Sequence, residues 1–288
     1  MEAVCAGKHW DVALTQGGAL PYLIGKRLGM RFVVQPQLTQ YNGPWYDYPE
    51  GLDENHRLAF EKEVAGRLVD QLSHLRLAYF QQNFAPSVTN WLPFHWRGFS
   101  QTTRYTYRID DISDQERVFA AFDRDKRQKK IRKSETGLRA DLALSPDAFA
   151  DFHQRYWRAK GQKDLLSHDF IVRVCSTAME RGQGMILAAR SVDDGTLRGA
   201  RFAVWDDNSA YSLLSALNPD GHDNGVSAWM FWQLMLRLKE KTRAFDFEGS
   251  MDEGVEYSYR LYGAVQTPYS QVSRCFNPLF GLLMRLKK

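Results

Sequence analysis

Three β-rich stretches follow one another at residues 185–191, 197–206 and 209–216, and the turns between them leave the chain little freedom. Asp193-Asp194-Gly195 and Asp206-Asp207-Asn208 are short, turn-forming connections of the kind that close hairpins. The three stretches therefore read as an antiparallel meander. A turn-rich loop, Asn218-Pro219-Asp220-Gly221-His222-Asp223-Asn224-Gly225-Val226-Ser227, then opens a helix to about residue 241 with an apolar body from Ala228 to Leu238. The helix feeds a strand at 244–248 that carries two acids and ends at Gly249. A short helix at 257–261, a strand at 265–274 and an amphipathic helix after Pro278 complete the order.

Upstream, 140–144 reads as a strand. Ser145-Pro146 is a cap with proline at the first helical position of a helix to about 160. A second helix starts at Ser167 or His168, runs to about 181 and is ended by Gly182 and Gly184. In the N-terminal part, 11–14, 20–24 and 31–34 are extended, 39–51 is a structured loop, 55–73 is helical and 75–80 is a strand. Residues 102–109 alternate in a period of two and form a strand. A helix follows across 110–121, with Ser113 as its cap and Glu116 three residues on. The first half thus follows the order of the second in degenerate form, with no repeat of the residues themselves. The fold class is α+β, a three-layer α/β arrangement of mixed, mostly antiparallel sheets flanked by helices. The division falls near the basic run 126–133, giving halves 1–125 and 126–288.

With 288 residues, 44% of them hydrophobic, the chain has ample material for a packed core. A formal charge of +4 permits a phosphate-bearing ligand without demanding nucleic acid. Cys5, Cys175 and Cys275 are too scattered for a zinc pattern or a disulfide framework, so no metal is expected and reduced thiols are. No apolar run reaches the ~18 residues of a membrane span, and the first ten residues lack a signal core. A cytoplasmic protein is the expectation.

Several motifs carry a resemblance: Gln40-Tyr41-Asn42-Gly43-Pro44, the aromatic run Trp91-Leu92-Pro93-Phe94-His95-Trp96-Arg97-Gly98-Phe99, and Thr103-Arg104-Tyr105-Thr106-Tyr107. They continue with Phe245-Asp246-Phe247-Glu248-Gly249-Ser250 and Tyr259-Arg260-Leu261-Tyr262-Gly263-Ala264. In this order the chain resembles the GNAT acyltransferases, in the branch of the Fem peptidoglycan aminoacyltransferases and the BioF-like acetyltransferase domains. The resemblance implies two GNAT-like halves and transfer of an acyl group from an activated donor to an amine, without a metal. Acyl-CoA is the expected donor, with aminoacyl-tRNA as the alternative. The acceptor is a small-molecule or peptide amine. A ligand-binding protein that keeps the fold without the chemistry is a third possibility. Where Fem members carry a lysine before a Phe-Gly pair, this chain has Arg260 nearby, which keeps the charge and not the shape.

Acyl transfer needs a neutral amine and a held donor, and the residues offer candidates for both. Asp246 and Glu248 alternate with Phe245 and Phe247, so a continuous strand places both acids on one face. Two such carboxylates can raise one another's pKa enough to make a base; they serve equally to bind an ammonium or to pair with an arginine. Asn224, Gly225, Val226 and Ser227 start a helix where an anion is favoured. The usual acetyl-CoA run, Gln/Arg-x-x-Gly-x-Gly/Ala, is absent there, and an ordinary cap after Asp220 and Asp223 reads as well. The run from Lys126 to Lys133 is either a solvated helix face or a phosphate-facing patch that includes Lys129 and Lys133. Arg260 anchors a phosphate or carboxylate, or pairs with the acids. Tyr269 is a candidate acid for the leaving group or a half-buried structural residue. His95, Trp96 and Tyr41 are candidate substrate contacts or cleft wall. Ser250 lacks the context of a hydrolase nucleophile.

Overall fold

Tight turns and alternating burial build the N-terminal sheet. In a computed structural model, which describes every residue except Lys163, 220–224, Ser250 and 286–288, a short helix α1 (Glu2–Cys5) precedes the hairpin of β1 (His9–Thr15) and β2 (Gly18–Arg27). Strands β3 (Met30–Val33) and β4 (Trp45–Tyr46) both add antiparallel to β2. Asp53 caps α2 (Glu54–Ser73) by accepting from the His56 amide, and Val64, Ala65, Leu68, Val69 and Leu72 make its buried stripe. Next come β5 (Leu77–Asn83), α3 (Leu92–His95) and β6 (Ser100–Ile109). Strand β5 starts two residues later than its apolar pattern predicts, because Arg76, at φ 51°, still belongs to the exit of α2.

The chain continues through α4 (Gln115–Ala121), a π-turn at Arg124–Gln128, α5 (Lys129–Glu135), β7 (Leu138–Asp141), α6 (Pro146–Ala159) and α7 (His168–Glu180). The meander is β8 (Gly184–Ser191), β9 (Leu197–Trp205) and β10 (Ser209–Leu217), paired antiparallel throughout. Helix α8 (Val226–Leu238), β11 (Ala244–Asp246), α9 (Glu253–Arg260), β12 (Val265–Cys275) and α10 (Pro278–Arg285) complete it. Ser145 and Ser167 cap α6 and α7 as their positions predict. The cap of α4 is Asp114 and not Ser113, whose amide and hydroxyl are both taken by Asp111.

Two compact units result: Met1–Tyr105 with Pro268–Lys288, and Thr106–Thr267. The basic run lies inside the second. In unit 1 the strand order is β1-β2-β3-β5-β12, with β3 and β5 parallel and the other pairs antiparallel. In unit 2 it is β6-β11-β10-β9-β8-β7, with β10 and β11 parallel and the rest antiparallel. A long helix links the parallel pair each time, α2 between β3 and β5 and α8 between β10 and β11. Both units are therefore mixed sheets flanked by helices, each with its own core. Leu68, Phe80, Phe84 and Phe94 centre the first; Met230, Phe231, Leu234 and Phe245 centre the second.

Candidate functional site

In unit 2, β10 and β11 part company where the acids sit. Their ladder covers Ser209↔Ala244, Ala210↔Phe245 and Tyr211↔Asp246, while β10 runs on to Leu217. Asp246 is fully buried. Its Oδ1 accepts from the Thr106 hydroxyl at 2.5 Å and from the Glu248 amide at 2.8 Å. The Thr106 oxygen in turn accepts from the Gly249 amide at 2.9 Å. Phe247 still bonds to Tyr107, and then the backbone turns left-handed at Glu248, with φ 61°. The expected continuous strand thus ends at Asp246, and the two acids do not alternate along one face. A left-handed glutamate is strained backbone, held here by the Asp246–Thr106 clamp.

Glu248 is half-buried, and burial, aided by the negative charge of Asp246, pushes its carboxyl up from the usual 4.5 to about 8. Tyr259 of α9 sits in the same field: burial raises its hydroxyl, Arg201 opposes the rise, and Glu248 and Asp246 add to it. Its ring lies 5.2 Å from that of Phe247.

Arg201 joins this region to the start of α8. It is buried on β9, its guanidinium 3.5 Å from the Phe231 ring centroid. It donates to Ser212 Oγ at 2.8 Å and to Ser227 Oγ at 3.0 Å. Sequence reasoning passes over Arg201, and it quotes Thr106 and Tyr259 within motifs without assigning either a role. For Arg201 the signal was a lone arginine inside the apolar strand Gly199-Ala200-Arg201-Phe202-Ala203.

Gly225 caps α8 at φ 99° with no side-chain cap. A Cβ there would meet Ser134 Oγ at 2.9 Å and Lys130 backbone oxygen at 3.0 Å, so α5 abuts the helix start. Val226 turns its side chain into the core, and Ser227 faces Arg201. Asn224, with His222 and Ser250, lies outside the described residues.

The other predicted residues disperse. Lys129 pairs with Asp125 at 2.5 Å, Lys133 is exposed, and Arg127 stacks on Tyr262 while donating to Ser258. Arg260 is exposed, with Glu256 at 3.5 Å and the Tyr257 ring at 5.0 Å, and neither Asp246 nor Glu248 is its recorded ion-pair partner. In unit 1, His95 is exposed at the end of α3 beside Trp91, and Trp96 is exposed with the Lys62 ammonium 5.2 Å from its ring. Tyr41 meets buried Tyr269 edge-on at 5.2 Å. Among the described residues, the one group with metal-ligand spacing is exposed Asp147 and Asp151 of α6 with half-buried His168 of α7, already joined by His–Asp contacts of 3.3 and 3.5 Å.

Residues 120–257 match the family described as acetyltransferase (GNAT) domain. The fold over nearly the whole chain is similar to that of FemX, with a TM-score of 0.68 at 11% identity, covering 95% of this chain and 90% of that one. It is similar also to L-PGS from Bacillus licheniformis, at 0.60 and 13% identity, covering 98% and 88%. A third likeness is to the C-terminal domain of a putative lysylphosphatidylglycerol synthetase from Agrobacterium fabrum, at 0.59 and 11%, covering 96% and 86%. No curated protein matches the chain.

Proposed function

We propose that the chain, whose residues 120–257 match the GNAT acetyltransferase domain family and whose fold is similar to that of FemX, is an acyltransferase that acylates an amine with Glu248 as the general base. One observation carries this reading: a carboxyl whose proton is held to about 8, on a strained turn where β10 and β11 diverge. A base matched to the working pH is what amine activation asks for. The acceptor ammonium gives one proton to the Glu248 carboxylate. Its nitrogen then attacks the acyl carbon of an acyl-CoA; the C–N bond forms and the C–S bond breaks. The departing sulfur takes the second proton of the amine nitrogen, so no role is asked of Tyr269. Asp246 holds the turn and raises Glu248. Donor phosphates are proposed to meet the start of α8 at Gly225 and Ser227, with Arg201 behind Ser227 and Lys129, Lys133 and Arg260 at the surface.

Glu248→Gln is expected to lower kcat by about 10²–10⁴-fold. The wild-type rate should rise with pH to a plateau above about 8. Unchanged turnover in the variant, or a rate flat in pH, removes the base from the reading. A second donor, aminoacyl-tRNA, is favoured by exposed Lys129, Arg132 and Lys133 on the helix that abuts α8. Retention on immobilised CoA against binding of charged tRNA, with RNase sensitivity of activity in extract, separates the two donors.

A further inference from the structure

Unit 1 carries a surface that amine acylation does not use. Two hollows on it share Arg31 of β3. One, of about 780 Å³, is lined by Leu23, Ile24 and Phe32 together with Lys8, Lys26 and Arg31; His9 and Asp11 also line it. The other, of about 810 Å³, places Arg31, His74 and Arg76 around Met30, Leu77 and Phe276. Four lysines and arginines thus stand against one acid, Asp11, which is already engaged by the Tyr22 hydroxyl at 3.5 Å.

Helix α10 lies on the same strands. Its Phe280 is buried, 5.3 Å from the Phe32 ring and 6.2 Å from that of Tyr79. With Phe280 turned inward, Leu279 and Leu282 are left 71% and 57% exposed. Leu28, in the β2–β3 turn beside Gly29 of the second hollow, is 75% exposed. Leu28 and α10 thus adjoin Gly29 and Asn277 of a hollow lined by Arg31 and Arg76, and exposed leucines beside cations are the composition of an interfacial anchor. Helix α10 has eight residues, far too few to span a bilayer.

We propose that this face docks reversibly on an anionic membrane surface. Leu28, Leu279 and Leu282 enter the headgroup boundary, and Lys8, Lys26, Arg31 and Arg76 meet lipid phosphates. Charge selects this occupant over a second copy of the chain, since a symmetric pair would bring the same positive face against itself.

Flotation of the full chain with vesicles tests the proposal. Binding is expected to phosphatidylcholine vesicles containing phosphatidylglycerol, not to phosphatidylcholine alone, and to weaken with salt. Arg31→Ala and Arg76→Ala should each weaken it by about fivefold. Leu279→Asp with Leu282→Asp should abolish it, while Leu165→Asp, at an exposed leucine of unit 2, should leave it intact. Circular dichroism confirms that each variant is folded, and the arginine variants keep the test open should the leucine pair not fold. Failure to float, equal binding to both vesicle types, or indifference to all of the face variants would overturn the proposal. So would a concentration-dependent dimer that the leucine substitutions abolish.

Discussion

At the scale of single residues, the two that matter most in unit 2 owe their properties to partners far away in sequence. Glu248 gains its raised pKa from burial and from Asp246, and Asp246 is fastened by Thr106, 140 positions earlier. Nothing in Phe245-Asp246-Phe247-Glu248 announces that the strand stops between the acids. Alternation suggested a shared face, and the clamp overrode it. Arg201 makes the same point: its hydroxyl partners lie on β10 and α8, and its ring partner is Phe231. Removing the guanidinium deletes both of these charged hydrogen bonds. Arg201→Met is therefore expected to cost about 2–3 kcal/mol, the range of a hydrogen bond to a charged group left unmade. Urea unfolding measures it, and a loss under about 0.5 kcal/mol would show Arg201 to be a passenger. Arg260→Ala, at an exposed i,i+4 pair with Glu256, should change stability by less than about 0.5 kcal/mol.

At the scale of elements, the strands and helices of the second half follow their sequence signals closely. The turns at 193–195 and 206–208 define the meander, and Ser145 and Ser167 cap where expected. Local chemistry decides such features, so local sequence reveals them. The start of α8 is different. Gly225 was legible as part of a turn, but the reason it must be glycine is the approach of α5, a tertiary contact. At φ 99°, with Ser134 and Lys130 within 3.0 Å of any Cβ, Gly225→Ala adds backbone strain to a clash. An expected loss of about 1–3 kcal/mol follows, with the start of α8 loosened. Faster hydrogen exchange in the amides of α8, with those of α2 unchanged, is the measurement. Equal effects on both helices would place the disturbance elsewhere.

At the scale of the whole molecule, the two units share one arrangement. Each unit contains one parallel pair bridged by a long helix, and each has its own core. The order of elements could be read from the sequence because hydrophobic period and turns specify it, whereas pairing partners depend on contacts between distant strands. A site housed in such a scaffold leaves a mark on the stability of the chain. Glu248 has a carboxyl pKa of about 8 when folded against 4.5 in the ordinary state. Between these values the folded state keeps a proton that the unfolded chain has released. Stability from this group is therefore fully present below 4.5 and is lost as pH rises toward 8. The loss is at most about 1.4 kcal/mol per pH unit, and partial exposure makes it smaller. Glu248→Gln cannot ionise and escapes it. The variant should thus match the wild type near pH 4.5 and exceed it in denaturant midpoint at pH 8–9, while its turnover falls. A wild-type midpoint that climbs relative to the variant over this range would mean that the Glu248 carboxylate is stabilised in the fold and that its pKa lies low.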